Sequence, residues 1–149
     1  MSLLQKLDDD LKVALKTSDT LKVSVLRIAK AALKNKQIDK RAELTEDDII
    51  SVVSTLSKQG RESIEQFSKG GREDLAEKER QELTILQSYL PKQLTTEELD
   101  IIVSEAIKES LSEGIKDVGK VMRLVMPRVK GAADGKIVNQ RVKALLEKT

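Results

Sequence analysis

Apolar residues recur every three to four positions along almost the whole chain, the spacing of one face of an α-helix. Thr45 followed by Asp48 matches a capping box, and it predicts a third helix of about 24 residues that ends at Gly70–Gly71. A fourth helix is predicted from about residue 72 to residue 90. The stripes of the first two helices are Leu3, Leu7, Leu11 and Ala14, then Leu21, Val25, Ala29 and Leu33.

The segment 91–96 interrupts this periodicity, and we take it as a boundary between subdomains of residues 1–92 and 93–149. A second capping box, Thr95 with Glu98, begins a fifth helix directly after it. No stretch shows the alternating pattern of a strand. The predicted fold is therefore all-α, with a multihelical N-terminal subdomain of about four helices, one of them long, and a small three-helix C-terminal subdomain.

The segment 118–135 predicts two short basic helices around a glycine turn. Asp117 can cap the first helix and Asp134 the second. We expect Pro127 and Gly131 to end the first helix, because proline lacks the backbone donor and glycine favours the turn. The apolar side of the second helix is expected to be Val138, Val142 and Leu145.

Charge is unevenly distributed along these helices. The whole chain carries a net charge of only +2, but residues 116–149 hold nine basic and three acidic side chains, and residues 22–41 hold seven and one. Such patches favour an anionic partner, although cations that merely solvate the outer faces of helices give the same pattern, and both interpretations stay open. The candidate nucleic-acid contacts are Lys116, Lys120, Arg123, Arg128, Lys130 and Lys136, with Arg27, Lys30 and Lys34 on a second stripe.

Several chemistries have no residues to support them. The chain contains no cysteine and no histidine, which excludes disulfides and the usual zinc, haem and imidazole chemistries. The segment 114–121 matches a phosphate-loop spacing, but it follows a helix and has Val121 where that loop needs Ser or Thr. The simpler interpretation is that Gly114 ends the fifth helix and Asp117 caps the next. We therefore assign no catalytic residue, metal or cofactor.

The N-terminus and the hydropathy bear on location. No apolar run approaches the ~18 residues that a membrane span requires. The first residues soon meet Asp8, Asp9 and Asp10 instead of the apolar core of a secretory signal. We expect a cytoplasmic protein without a membrane partner.

Several longer motifs occur in a fixed order along nearly the full chain. They are Gln59, 61–67, 70–75, Glu82–Leu83, Leu86, 89–94, 119–122 and 130–135. Together these motifs resemble the YqeY-like family, and the C-terminal part also resembles the tail domain of GatB, the B subunit of the glutamine-dependent aminoacyl-tRNA amidotransferase. One departure is Gly60, where the family tends to carry a basic residue.

The resemblance implies two things about function. Family members carry the label of carbon–nitrogen ligases with glutamine as amido-N-donor, yet this sequence offers neither an activated nucleophile nor a nucleotide site for that chemistry. The GatB tail engages tRNA, which implies that Lys120, Arg123, Lys130 and Lys136 contact RNA here. Residues Gly119, Gly131 and Asp134 would then shape the turns that place these cations.

The leading expectation is an RNA-contacting accessory protein, directed to tRNA or another structured RNA, that recognises the backbone through a basic helix hairpin. One alternative is a protein-interaction adaptor with no nucleic-acid role, which docks a partner through the acidic fifth helix and the long third helix. Another is amide formation within a larger complex, where a partner supplies ammonia and the activated substrate.

Overall fold

A computed structural model describes residues 2–149, and this part of the chain folds into α-helices without a strand, which confirms the all-α class. The chain divides into two compact units, residues 1–90 and residues 91–149. The N-terminal unit contains α1 to α4 and the C-terminal unit α5 to α7. The helices are α1 Leu3–Lys16, α2 Thr20–Lys40, α3 Glu46–Lys69, α4 Glu73–Gln87, α5 Thr96–Ser112, α6 Val118–Val129 and α7 Gly135–Glu147.

Side-chain caps begin most helices of the N-terminal unit. Ser2 and Thr45 form capping boxes with the third residue of α1 and α3, and Asp19 accepts a hydrogen bond from the backbone N–H of Lys22 at the start of α2. The buried faces of these helices meet in one aliphatic core. Its buried members are Leu7, Val25, Leu26, Ala29, Leu33, Ile49, Val53, Leu86 and Tyr89.

Tyr89 closes the N-terminal unit just after α4. Its hydroxyl donates to Oδ2 of Asp10 on α1 at 2.5 Å, and the ammonium of Lys6 lies 5.3 Å from the ring centroid. Burial, and then the neighbouring Asp10 carboxylate, raise the pKa of the Tyr89 phenol above its ordinary value. The end of α4 is thereby fixed to the first helix of the chain.

Helices α5, α6 and α7 of the C-terminal unit pack against one another around a second core, and each pair of them is in contact. Valine and other aliphatic residues fill this core, since the sequence has no aromatic residue after Tyr89. Leu146 is buried there, whereas Leu145 packs at its margin. The buried members are Leu99, Val103, Ala106, Ile107, Val121, Val125, Val129, Val138, Val142 and Leu146.

The expectation that Pro127 ends the sixth helix was wrong, because α6 continues through it to Val129. Proline removes the backbone bond to the carbonyl of Arg123, but it lies close to the helix end, where few further bonds are lost. Val125 and Val129 are fully buried, so packing of the last turn against the core stabilises the helical continuation.

Candidate nucleic-acid interface

The turn between α6 and α7 has a defined backbone. Lys130 follows the last residue of α6. Gly131 adopts a φ of +76°, a backbone conformation that residues with a Cβ atom rarely adopt. Asp134 caps α7 by accepting a hydrogen bond from the backbone N–H of Lys136 at 3.2 Å. Lys130 and Lys136 therefore flank one structured turn, and both are exposed.

Two residues that the charge pattern did not indicate hold this turn in place. The side-chain amide of Gln93 donates to the carbonyl of Gly131 at 2.8 Å and to that of Pro91 at 3.1 Å. The backbone N–H of Leu94 donates to the carbonyl of Ala132 at 2.9 Å. The signal for this contact was the motif 89–94, which stands out in the family resemblance although it carries little charge.

The start of α6 is built differently. Asp117 caps the helix, and its Oδ1 accepts a hydrogen bond from the N–H of Gly119 at 3.3 Å. A Cβ atom on Gly119 would lie 3.3 Å from the other carboxylate oxygen of Asp117, a tight contact. Gly114, with a φ of +75°, follows α5 and leads into this segment, which agrees with a helix end and not with a phosphate loop.

The cations of α6 fall into two groups. Within residues 2–149 Arg123 makes no ion pair, and its side chain lies on the exposed face of the helix. Lys120, one turn earlier, has its ammonium 3.5 Å from a carboxylate oxygen of Glu113. Lys116 precedes the cap of α6 and therefore lies outside the helix, and its ammonium donates to the carbonyl of Thr149 at 3.3 Å.

Arg128 is held by the acidic helix. One guanidinium nitrogen donates to both carboxylate oxygens of Glu109 on α5, each at 2.8 Å. Arg141 on α7 makes a two-point contact with Asp100 on α5 at 2.7 and 2.8 Å, and this partner raises the pKa of its guanidinium. Part of the negative charge on α5 therefore neutralises cations of its own unit.

Lys136 differs from these paired residues. It lies in the first turn of α7 and makes no ion pair with any residue between 2 and 149. The exposed cations near the turn in sequence are Arg123 and Arg128 on α6, Lys130 at its end and Lys136 at the start of α7, and Arg128 among them is held by Glu109. The structure brings together Lys130 and Lys136 on one turn, with Arg123 two helical turns before it.

The second stripe, on α2 in the other unit, is also uneven. Its central residue Lys30 lies 2.6 Å from Oδ1 of Asp8 on α1. Arg27 and Lys34, on either side, are exposed and make no ion pair in the part of the chain that the structure describes. Only two of the three predicted contacts are therefore available as unpaired cations.

Carboxylates offer little sign of a reaction centre. Partial burial, and then repulsion from Glu79, raise the pKa of Glu82 on α4. These two residues lie on one helix, three positions apart.

No group of three or more metal-ligating side chains is arranged to hold an ion among residues 2–149, and no helix there combines the length and hydropathy of a membrane span.

Comparison with known proteins finds a matching family model and several related proteins. The model of a family described as Yqey-like protein matches residues 4–146 of this chain. The relative named Altered inheritance of mitochondria protein 41, mitochondrial, from Pyrenophora tritici-repentis is 32% identical over 146 residues, which covers 96% of this chain and 80% of the relative.

Relatives with the same name from two yeasts match over a shorter region. The protein from Vanderwaltozyma polyspora is 41% identical over 85 residues, covering 56% of this chain and 46% of the relative. The protein from Eremothecium gossypii is 40% identical over 88 residues, covering 58% and 48%. The match thus spans about half the length of these two yeast relatives.

These names contradict the expected cytoplasmic location, which was wrong, since the relatives are named as mitochondrial proteins. The prediction rested on the missing apolar core near the N-terminus. Its absence argues only against a secretory signal, whereas mitochondrial leaders are amphipathic and rich in arginine and serine. Hydropathy at the N-terminus therefore does not separate a cytoplasmic protein from a mitochondrial one.

Proposed function

We propose that this chain, which belongs to the YqeY-like family, is an RNA-contacting accessory protein related to glutamine-dependent aminoacyl-tRNA amidation. The observation that supports this most is the turn between α6 and α7. It carries exposed Lys130 and Lys136 on a backbone that Gly131 and Asp134 shape and that Gln93 holds by a hydrogen bond. A fixed turn presents its cations with less loss of conformational freedom on binding than a mobile loop does.

The expected ligand is the sugar–phosphate backbone of a structured RNA, with tRNA as the first candidate. The sequence after Tyr89 contains no aromatic residue, so the C-terminal unit has no ring on which an unpaired base can stack. Lysine and arginine remain, and they bind phosphate through charge-assisted hydrogen bonds. Such contacts have little sequence preference and weaken steeply with salt.

Amide chemistry is assigned in this proposal to a partner protein. The family label names a carbon–nitrogen ligase with glutamine as amido-N-donor, but such a reaction needs an activated nucleophile to release ammonia and a means to activate a carboxyl group. The carboxylate pair Glu79 and Glu82 supplies neither. The chain would hold or orient the RNA while another subunit performs the reaction.

The experiment is a titration of fluorescently labelled tRNA with the whole chain at about 50 and about 200 mM salt. The triple variant Lys120→Glu, Arg123→Glu, Lys130→Glu is expected to abolish binding while its circular dichroism spectrum stays helical. The single variant Arg123→Glu should weaken binding and lower the salt slope by about 1. Lys108→Glu is the matched control, since it reverses one exposed charge on α5 of the same unit.

The results separate the hypotheses. Equal loss of affinity in Arg123→Glu and Lys108→Glu would indicate a general effect of net charge and not a contact at the hairpin. Unchanged affinity in the triple variant, or no binding by the unmodified chain, would refute an RNA role for this surface.

A further inference from the structure

An open groove of about 540 Å³ lies in the N-terminal unit, between the end of α1 and the start of α2. Its exposed wall surface is mostly apolar although Ser18, Thr20 and Ser24 also line it, and the side chains of Leu15 and Ile28 remain 50% and 54% exposed at its edges. Exposed aliphatic residues that adjoin one another in this way mark interaction sites more often than isolated ones do. The residues that define it here are Ala14, Leu15, Val23, Ser24, Arg27 and Ile28.

The charges around this groove are basic and available. Lys16 follows Leu15, Lys22 precedes Val23, and within residues 2–149 neither lysine makes an ion pair. Arg27 lines the groove and has no ion pair in the same range. The carboxylate of Asp19 is already used as the cap of α2. An occupant with carboxylates beside an apolar side chain would therefore complement the groove.

The shape of the groove favours a protein segment over other ligands with this chemistry. Small-molecule sites bury most of their ligand, whereas this groove is open along its half-exposed edges. Its aliphatic walls offer no ring for a nucleic-acid base. A helix laid along the groove would cover the exposed edges, as amphipathic helices do in apolar grooves of other proteins.

The chain itself carries a helix face with the required chemistry. On α5, Glu97, Ile101 and Glu105 recur at four-residue spacing and therefore share one face. Ile101 is 61% exposed, and Glu97 and Glu105 make no ion pair within the described residues. The acidic residues of α5 that hold Arg128 and Arg141 are different ones.

We propose that the face of α5 formed by Glu97, Ile101 and Glu105 docks into the α1–α2 groove of a second copy of the chain. Ile101 enters between Leu15 and Ile28, and the two glutamates meet the basic edge. The contact joins the groove of one copy to the α5 face of another, and a pair that makes this contact in both directions is a closed dimer with two identical contacts. Apart from Arg27, which also belongs to the second basic stripe, this inference concerns surfaces outside the proposed RNA contacts, and its test measures association of the chain in the absence of RNA.

Sedimentation equilibrium of the whole chain across a concentration series tests the proposal. We expect a reversible dimer whose dissociation constant rises about tenfold or more in Arg27→Glu and in Ile101→Ser. Lys34→Glu is the matched control: it reverses an exposed, unpaired charge of the same helix that does not line the groove, and it should leave the dimer intact.

A charge exchange gives the sharper result. Arg27→Glu alone and the double variant Glu97→Arg, Glu105→Arg alone should each dimerise poorly. Their equimolar mixture should form a heterodimer. One of its contacts then joins the groove of the Arg27→Glu chain to the α5 face with two arginines, and the other joins the unmodified groove to the unmodified α5 face. A chain that stays monomeric throughout the series, a dimer that Arg27→Glu leaves unaffected, or a mixture without recovery would each overturn the proposal.

Discussion

Replacing Gly60 by alanine is expected to stabilise the N-terminal unit by about 1 kcal/mol, the difference between glycine and alanine inside a helix. Gly60 lies in the interior of α3 and its backbone is helical. A Cβ atom there would lie 3.8 Å from Cδ1 of Leu83 on α4, an ordinary van der Waals contact. The new methyl group therefore restricts the unfolded chain and adds contact without displacing a neighbour.

Gly71→Ala is the matched control with the opposite sign. Gly71 follows α3 with a φ of +75°, and a Cβ atom there would meet nothing within 4 Å. Its substitution adds no contact and forces alanine into the left-handed region, at a cost of about 1 to 2 kcal/mol. The two variants make the same chemical change; they differ in the backbone conformation that receives it and in the contact with Leu83, which only Gly60→Ala adds.

Urea unfolding followed by tyrosine fluorescence measures both effects. Tyr89 is the sole tyrosine of a chain without tryptophan, and it lies in the N-terminal unit, so its emission reports on that unit. With a slope of about 1 to 2 kcal/mol per molar urea, the midpoint should rise by about 0.5 to 1 M for Gly60→Ala and fall by a similar amount or more for Gly71→Ala. A lower midpoint for Gly60→Ala, or shifts of the same sign, would refute the backbone argument.

Three further predictions concern single interactions. Because the folded-state pKa of Tyr89 is raised, its contribution to stability is present below the unfolded value of about 10 and is lost as pH rises through the folded value. Alkaline urea titrations followed by circular dichroism should show a smaller loss of stability in Tyr89→Phe, and equal losses would contradict this. Glu109→Gln should release Arg128 and tighten tRNA binding a few-fold by anisotropy; weaker or equal binding would assign Arg128 a purely structural role. The hydrogen bond from Lys40, with smaller contributions from Thr45, lowers the pKa of Asp48 to about 2. Lys40→Met should therefore raise the pKa of that carboxyl in an NMR titration, and an unchanged value would show that Lys40 is not the cause.

Local sequence signals predicted the helices well because each signal acts within a few residues. The capping boxes at Thr45 and Thr95 begin α3 and α5 as expected, and Gly114 marks the end of α5. The predicted end of the helix at Pro127 was wrong because the cost of a missing backbone hydrogen bond is local, whereas burial of Val129 depends on the packing of the whole unit. The pattern identified which residues prefer a core but not how strongly that core stabilises the last turn.

Contacts between residues that lie far apart in the sequence could not be predicted from the same signals. Arg128 and Glu109 are 19 positions apart, and Gln93 and Gly131 are 38 apart. Periodicity shows which side of a helix is buried, but the partner on a neighbouring helix depends on how the helices pack around the core. A count of charges along the sequence therefore could not show which cations are held by a carboxylate of a neighbouring helix.

The number of cations that contact phosphate sets the strength expected of RNA binding. Residues 116–149 carry nine basic side chains, and the RNA contacts that we propose at or near the turn are the exposed residues Arg123, Lys130 and Lys136. About three phosphate contacts, each worth a slope of about 0.7 to 0.9, imply a loss of roughly 20- to 40-fold in affinity between about 50 and 200 mM salt. A slope this small corresponds to a modest electrostatic contribution, which fits a chain that acts beside a stronger RNA-binding partner. A measured slope of about 6 or more would show that further cations, such as Arg128 or those of α2, also contact the RNA.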